Sequence, residues 1–327
     1  MIYEDRVYGK VQIGEPVILE IIDSPEMQRL KGVDQAGYYD VYFPGTKQNR
    51  FLHSMGVYLL LKKYGADMNE QIAGLIHDVS HSAFSHAIDY ILEEGSQKEH
   101  SHQDNAFADY VRKSSIKNIL AKYNIDVEYI IDDKNFPLKE NNIPDICADR
   151  IDYSLRDGLR FDMASKENVD YFLEHLSAEN GKWIFDDFPS AEKFAHYFDK
   201  LNRFHWSSYK TGAMYRSLGD YLKHALAKGY INKDDLYTTD DQVLGKIVEH
   251  FKEDPELQRL FARLNTITKS TNDPKNFEAQ VFVKSRIIDP LCRHNGEIKR
   301  VSDIDPKWKK VVERELEPKE YFVRFLD

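Results

Sequence analysis

With 327 residues, 13% of them aromatic and 31% charged, the chain has the make-up of an ordered globular protein long enough to bury an active site, which excludes a disordered or low-complexity chain. A formal charge of −10 and a pI near 5.7 exclude an extended nucleic-acid track, which needs clustered Lys and Arg, but leave room for a small anionic ligand in a local basic pocket. Cys147 and Cys292 lie too far apart in sequence for a CxxC pair, and no apolar run approaches the roughly 20 residues that span a bilayer, so the expectation is a cytoplasmic protein without disulfides or membrane spans.

Residues 1–50 read as short extended pieces around a helix at Ser24–Lys31, with Ser24 as N-cap and Pro25 in the first helical position. From Phe51 the pattern turns helical: Leu52, Met55, Tyr58 and Leu59 recur at three and four, as do Ile72, Leu75, Ile76 and Val79. A further helix is predicted at Ala87–Glu94 after the Ser80–Ser85 interruption. Residues 103–232 read as more helices, broken by the polar, Pro-containing stretch Asp132–Pro144 and by the Asn180-Gly181 turn, which predicts a short hairpin with Trp183-Ile184-Phe185. Beyond about Gly229 come acidic helices, a strand-like alternation at Ala279–Ile288 and a terminal strand at Tyr321–Leu326. The fold class is therefore mainly α with small β hairpins, organised as a helical domain over 1–230 and a smaller C-terminal α+β subdomain over 231–327.

Six of the twelve histidines, His53, His77, His81, His86, His100 and His102, fall within residues 53–102, a window under a sixth of the chain. Rings gathered on helices need ligands or hydrogen bonds, so a metal or acid/base site is the economical explanation. His77-Asp78 follows the apolar run Ile72–Ile76; neighbours on a helix diverge by about 100°, so both meet one metal only at a helix end or between packed helices. His53 and Asp149 are the candidate partners. Two imidazoles and two carboxylates suit Fe, Mn, Ni or Zn. His-Asp alone is weak, since a capping or surface pair explains it equally well. His86 and Asp89 stand three apart, so the carboxylate can orient or charge the ring for proton delivery. A surface ion pair is the competing reading, disfavoured by the apolar neighbours Phe84, Ala87 and Ile88.

The ordered H…HD…D set, with the blocks IIDSPEMQRLKGVDQAG, YFPGTKQNRFLHSMGVYLL, QIAGLIHDVSHSAFSHAID and CADRIDYSLRDG, resembles the HD superfamily of metal-dependent phosphohydrolases, and within it the deoxynucleoside triphosphate triphosphohydrolase branch. The resemblance covers residues 1–230 clearly and the KSRIIDP segment more faintly. It implies metal ligation by His53, His77, Asp78 and Asp149, and catalytic-loop roles for His81, His86 and His102. Arg50 and Arg150 would lie near the metal and clamp triphosphate oxygens; Arg150 stands where the family usually has Lys. Gln35, Tyr153 and Asp157 align with residues around the sugar and base, and Tyr209, in an HxxxY spacing from His205, with a residue that stacks beneath the sugar. Asp23, Gln28 and Lys31 fall at positions of an activator-nucleotide site, or simply cap and pack the first helix. A homo-oligomer is the family expectation, and Mg²⁺ would accompany the substrate phosphates.

The family loop reads HDLGHGPFSH; Ser80, Ser82 and Ala83 here replace two Gly and a Pro, which predicts a more helical loop. Ala36 stands where a bulkier residue flanks the sugar. The implied reaction is hydrolysis at the α-phosphorus of a nucleoside triphosphate, releasing nucleoside and inorganic triphosphate, with His86 protonating the departing oxygen. Two other readings stand beside it: the same chemistry on another nucleotide or phosphomonoester, because fold and ligands do not set the leaving group, and a nucleotide-sensing protein with a vestigial site.

Overall fold

The computed structural model describes residues 1–92, 96–98, 102–266 and 269–326, with the side chains at 102 and 104 outside that description. At its centre runs the helix Arg50–Lys63. Asn49 caps it by accepting the Leu52 N–H, Lys62 and Lys63 close its negative end, and eleven of its fourteen residues are buried. A helix buried almost all round must be covered on several sides. Helix Met68–Ile76, capped by Asp67, packs antiparallel on one side, and helix Ala148–Arg160 on another.

Three apolar cores surround this axis. One lies under helices Pro16–Ile22, Met68–Ile76 and Ser115–Lys122, and takes Phe51, Met55, Tyr58 and Leu59 from the central helix. A second takes Val57, Leu60 and Leu61, and fills the space between helices Ala148–Arg160 and Phe188–Leu201 and a four-stranded sheet. The third joins the 19-residue helix Tyr209–Ala227 to helices Asp240–Val248 and Pro255–Leu264 and a three-stranded sheet.

The four-stranded sheet runs in the order Leu176–Glu179, Lys182–Phe185, Leu291–His294, Glu297–Arg300. Its first pair is the hairpin expected at Asn180-Gly181, both of which adopt positive φ. The second and third strands pair in parallel, Ile184 opposite Leu291. In the other sheet the terminal strand Lys319–Phe325 is central, between Ser270–Asn272 and Ala279–Val283. The strand expected over Ala279–Ile288 stops at Val283, because Ile287 and Ile288 turn away to fill the second core. The helix expected at Ser24–Lys31 is observed as Pro25–Arg29 followed by a 3₁₀ turn to Gly32.

One close contact fixes the helix pair that matters for the site. A Cβ on Gly56 would lie 2.0 Å from Asp152 Oδ1 and 2.1 Å from Arg156 Nη2, both held in a buried network. Only glycine lets helix Ala148–Arg160 approach this closely, one turn from His53 and Asp149.

Candidate metal centre

Helix Met68–Ile76 ends at Ile76, so His77, its C-cap, and Asp78 leave the last turn in different directions. His77 Nε2 lies 3.2 Å from His53 Nε2 and 3.6 Å from Asp149 Oδ1. His53 Nε2 is 2.8 Å from Asp149 Oδ1, and Asp78 Oδ1 is 3.4 Å from His77 Nε2. These separations all fit within the roughly 4.2 Å that two donors about 2.1 Å from one ion can span.

The hydrogen bonds behind the rings say what belongs between them. His77 Nδ1 faces the Gly74 carbonyl at 2.8 Å; a carbonyl only accepts, so the proton is on Nδ1. His53 Nδ1 lies 2.8 Å from Asp152 Oδ2, a carboxylate held below its ordinary range, against the cost of burial, by Arg156 and His53. With neutral rings both Nε2 atoms therefore present lone pairs to each other and to two carboxylates, an arrangement that repels itself unless a cation sits inside. Burial opposes charging His53, yet its bonds to Asp149 and Asp152 push it up to about 10, so the pocket draws in positive charge. A proton and a divalent cation are alternative occupants of the same field, and the mixed N/O donor set fits the latter. His53, His77 and Asp149 thus form a group that could hold a metal ion.

Asp78 shares itself between the cluster and Arg50. Its Oδ2 accepts from Arg50 Nη1 at 2.7 Å; despite burial, that cation, with His77 and His81, holds its carboxyl well below the usual range. Arg50 also donates through Nε to Ser85 Oγ at 2.7 Å and through Nη2 to the Gln35 carbonyl at 2.9 Å. Its guanidinium is thus engaged on every nitrogen by the protein.

Beyond Asp78 the loop carries the remaining histidines outward. His81 Nε2 is 3.3 Å from Asp78 Oδ1; burial, helped by the Arg50 charge, lowers it to about 3, so the ring is neutral. The His86 ring meets His81 edge-on at 5.1 Å, and His86 Nδ1 stands 3.8 Å from Asp89 Oδ2. The expected α-helix here is instead a 3₁₀ helix over Ser85–Tyr90, in which residues three apart eclipse, placing Asp89 over His86. The loop before it is not helical, contrary to the reading of Ser80, Ser82 and Ala83. It runs as turns into Phe84 and Ser85, whose φ of 57° and 50° are left-handed, a costly conformation for a bulky residue. Outside partners pull it from helical geometry: Ala83 donates to the Leu236 carbonyl at 2.7 Å, and Arg29 Nη2 donates to the carbonyls of Val79 and His81 at 2.8 and 2.6 Å. The side chain of His102 lies outside the described residues, although its backbone opens the helix His102–Lys113.

Of the substrate-side expectations, Tyr153 comes within 6.3 Å of the His53 ring and lies edge-on to Trp206 at 4.9 Å. Asp157, one helical turn on, accepts the Trp206 indole N–H at 2.8 Å, and burial pushes its carboxyl up to about 6. Gln35 accepts from Gln48 at 2.7 Å. Arg150 turns toward the 140–147 loop, donating to the carbonyls of Asn141 and Asp145, near Cys147 Sγ and Glu140. Tyr209 packs edge-on against Tyr321 at 5.7 Å in the third core. Gln28 donates to the Ile22 carbonyl at 2.7 Å, and Lys31 to Gln28, so both are used in packing the first helices.

Three contributors escaped sequence reasoning. Asp152 orients His53; the signal was its i+3 spacing from Asp149 and i+4 from Arg156, which donates to it at 2.9 and 3.0 Å. Gln103 takes the His77 carbonyl at 2.7 Å. Arg286, from the C-terminal KSRIIDP segment, lies close enough to the buried phenols of Tyr90, Tyr153 and Tyr215 to offset part of the upward push of burial on each. Among the described residues its guanidinium makes one long contact, 3.4 Å to the Lys284 carbonyl, and no carboxylate pairs with it.

Comparison with known proteins places these features in context. Residues 50–157, which contain the whole cluster, match the model of the HD domain. The chain is 33% identical to the uncharacterized protein YdhJ of Bacillus subtilis, covering 94% of each. It is 28% identical to the metal-dependent phosphohydrolase cns2 of Cordyceps militaris, over 91% of this chain and 86% of that one. Similarity to the mouse deoxynucleoside triphosphate triphosphohydrolase SAMHD1 is partial, 31% identity over 38% of this chain and 22% of the relative. A crystal structure of a phosphohydrolase from Bacteroides thetaiotaomicron shares the fold over the full length of both chains, with a TM-score of 0.74 at 17% identity.

Proposed function

The chain belongs to the HD family of metal-dependent phosphohydrolases, and from that membership we propose that it hydrolyses nucleoside triphosphates at the α-phosphorus to nucleoside and inorganic triphosphate. The observation that carries the reading is the stepwise line Asp78, His81, His86, Asp89: a metal-facing carboxylate, a neutral buried ring and an acid-paired imidazole lie in successive contact along one loop. Ester cleavage at phosphorus asks for this order, since the alkoxide leaving group needs a proton on the side away from the attacking water.

In this proposal His53, His77, Asp78 and Asp149 hold a divalent ion. Such an ion supplies Lewis acidity toward a phosphoryl oxygen and acidifies water at neutral pH. His86 delivers the proton to the departing 5′-oxygen, with Asp89 orienting its ring. Arg50 sets Asp78 in place, and Arg286 supplies the cation facing the phosphate chain. Tyr153 and Asp157 wall the sugar, with Gln35 nearby. The partial similarity to deoxynucleoside triphosphate triphosphohydrolases supports the triphosphate substrate.

A second reading keeps the same residues and changes the substrate to another nucleotide or phosphomonoester. It is favoured by YdhJ and cns2, which match nearly end to end and neither of which is described as a triphosphohydrolase. Incubation with each deoxy- and ribonucleoside triphosphate and with nucleoside monophosphates, in Mn²⁺ or Mg²⁺, separates the two by product: inorganic triphosphate supports the first, orthophosphate from monophosphates the second. Metal content without turnover on any of them would overturn the first, and inactivity also on p-nitrophenyl phosphate and a cyclic nucleotide the second.

A further inference from the structure

The loop bearing His81 and His86 carries two consecutive left-handed residues, Phe84 and Ser85, and neither is glycine. Such a turn persists only where surroundings over-determine it. The nearest restraint comes from far along the chain. Asp240, the first residue of helix Asp240–Val248, is half-buried and receives two backbone N–H bonds on different oxygens, from Phe84 to Oδ1 at 2.7 Å and from Asp34 to Oδ2 at 2.8 Å. One carboxylate therefore ties the left-handed turn to the segment that precedes the central helix.

Between those two tied backbones sits the Arg50 relay. Ser85 Oγ donates to the Asp34 carbonyl and accepts from Arg50 Nε at 2.7 Å, and Arg50 Nη1 reaches Asp78 Oδ2 at 2.7 Å. His86 and Asp89 follow Ser85 directly in the 3₁₀ helix. The rest of the same C-terminal segment backs the loop: the Leu236 carbonyl takes the Ala83 N–H, and the Thr238 carbonyl takes Arg29 Nη1 at 3.0 Å while Arg29 Nη2 holds Val79 and His81. Thr239 leaves no room for a side chain at residue 32, since a Cβ on Gly32 would lie 2.6 Å from Thr239 Cγ2. Residues 236–240 thus form the outer wall of the catalytic loop.

We infer that Asp240 is a positioning residue: its carboxylate clamps Phe84 to Asp34, holding the left-handed turn that aims His86 and keeps Ser85 and Arg50 seated behind Asp78. The role rests on the phosphohydrolase reading for its effect on rate, but not for its effect on the loop. Asp240→Asn retains one acceptor oxygen and turns an NH₂ group toward the other N–H, so one of the two ties is lost.

The test compares Asp240→Asn with Asp254→Asn, a matched change at the start of helix Pro255–Leu264 that breaks the 2.7 Å ion pair of Asp254 with His224 and touches neither loop nor cluster. In Asp240→Asn the amides of Phe84 and Asp34 are expected to exchange roughly three- to tenfold faster, the worth of one hydrogen bond. Its kcat is expected to fall by up to about 10²-fold, the usual effect of a misplaced catalytic group, with KM within a few-fold and metal content unchanged. Asp254→Asn is expected to lower thermal stability without either effect. Should Asp240→Asn not fold, Asp240→Glu, which keeps the charge and shifts the oxygens by one methylene, is read the same way. Unchanged exchange at Phe84 with wild-type kcat, or equal kcat losses in both Asn variants, would overturn the clamp. Exchange is read without any substrate, so failure of the clamp and failure of the substrate assignment appear separately.

Discussion

The chemistry of the cluster turns on single atoms. His77 Nδ1 is committed to the Gly74 carbonyl and His53 Nδ1 to Asp152, which leaves both Nε2 atoms to face the carboxylates. Replacing His77 and Asp78 together by Ala should abolish bound transition metal and activity while helix content by circular dichroism stays near wild type, because His53 and Asp149 alone cannot hold a tight site. Stoichiometric metal in the purified double variant would refute the ligand assignment. His86 is separable from this set, being three contacts away from His77 through Asp78 and His81. In its proposed role as the proton donor to a poor leaving group, it should cost roughly 10²–10⁴-fold in kcat when changed to Gln, with metal content intact. A p-nitrophenyl phosphate ester, whose leaving group needs no proton, should lose far less. Equal losses on both substrates would make His86 a phosphate-binding residue instead.

Between elements, the decisive contact is backbone against side chain. Helix Ala148–Arg160 carries Asp149 and Asp152 into the cluster only because Gly56 leaves space for Asp152 and Arg156. Arg156 is in turn held to Asp5 of the N-terminal hairpin at 3.0 Å, so neither it nor Asp152 can yield to a methyl group. Gly56→Ala should therefore cost about 1–3 kcal/mol of stability through overpacking, and weaken metal binding as His53 and Asp149 are driven apart. The matched control is Gly245→Ala, in an open position of helix Asp240–Val248, where a Cβ meets nothing and the gain in helix propensity should stabilise by roughly 0.5–1 kcal/mol. Denaturant unfolding and metal titration of the two variants check this; Gly56→Ala as stable and as metal-competent as wild type would contradict it.

At the scale of the whole molecule, segments beyond residue 230 complete what the helical centre begins. Arg286 projects from the stretch after strand Ala279–Val283 toward tyrosines contributed by three other elements. Arg286→Ala should raise KM for a nucleoside triphosphate roughly ten- to hundredfold, as expected for one hydrogen bond to a charged group, with metal content unchanged; steady-state kinetics decide, and an unchanged KM would remove Arg286 from the phosphate path. Asp34 records the same convergence in its acidity. Burial between the two parts, opposed by the Ala36 N–H and reinforced by Asp240, pushes its carboxyl up to about 8, with Lys47 and Arg50 the facing cations. A carboxyl raised on folding keeps its proton where the unfolded chain has lost it, so stability is full below the unfolded value and falls as pH rises from there to the folded value. Unfolding free energy should thus fall between about pH 4 and pH 8, and Asp34→Asn should flatten that slope in urea titrations across the range. An identical slope in the variant would show that other groups cause it.

Much of this was readable from local rules. The cap at Ser24, the turn at Asn180-Gly181 and the apolar periodicities act over a few residues, so their elements appear close to where the pattern puts them. His53, His77-Asp78 and Asp149 stood out because polar rings and acids on apolar helices demand a partner, and the structure brings them within contact. Other features depended on groups distant in sequence. The loop at Ser80–Ala83 reads as helical by composition, yet Leu236, Arg29 and Asp240 hold it open, and the following helix tightens to 3₁₀. Arg50 and Arg150 read alike as free cations near a metal, but packing gives Arg50 to Asp78, Ser85 and Gln35 and turns Arg150 to its own loop, while Arg286 takes the open position. Which side chains cluster follows from spacing along helices; which of them stay free for a substrate follows from how closely those helices pack, and a single glycine at residue 56 sets that distance.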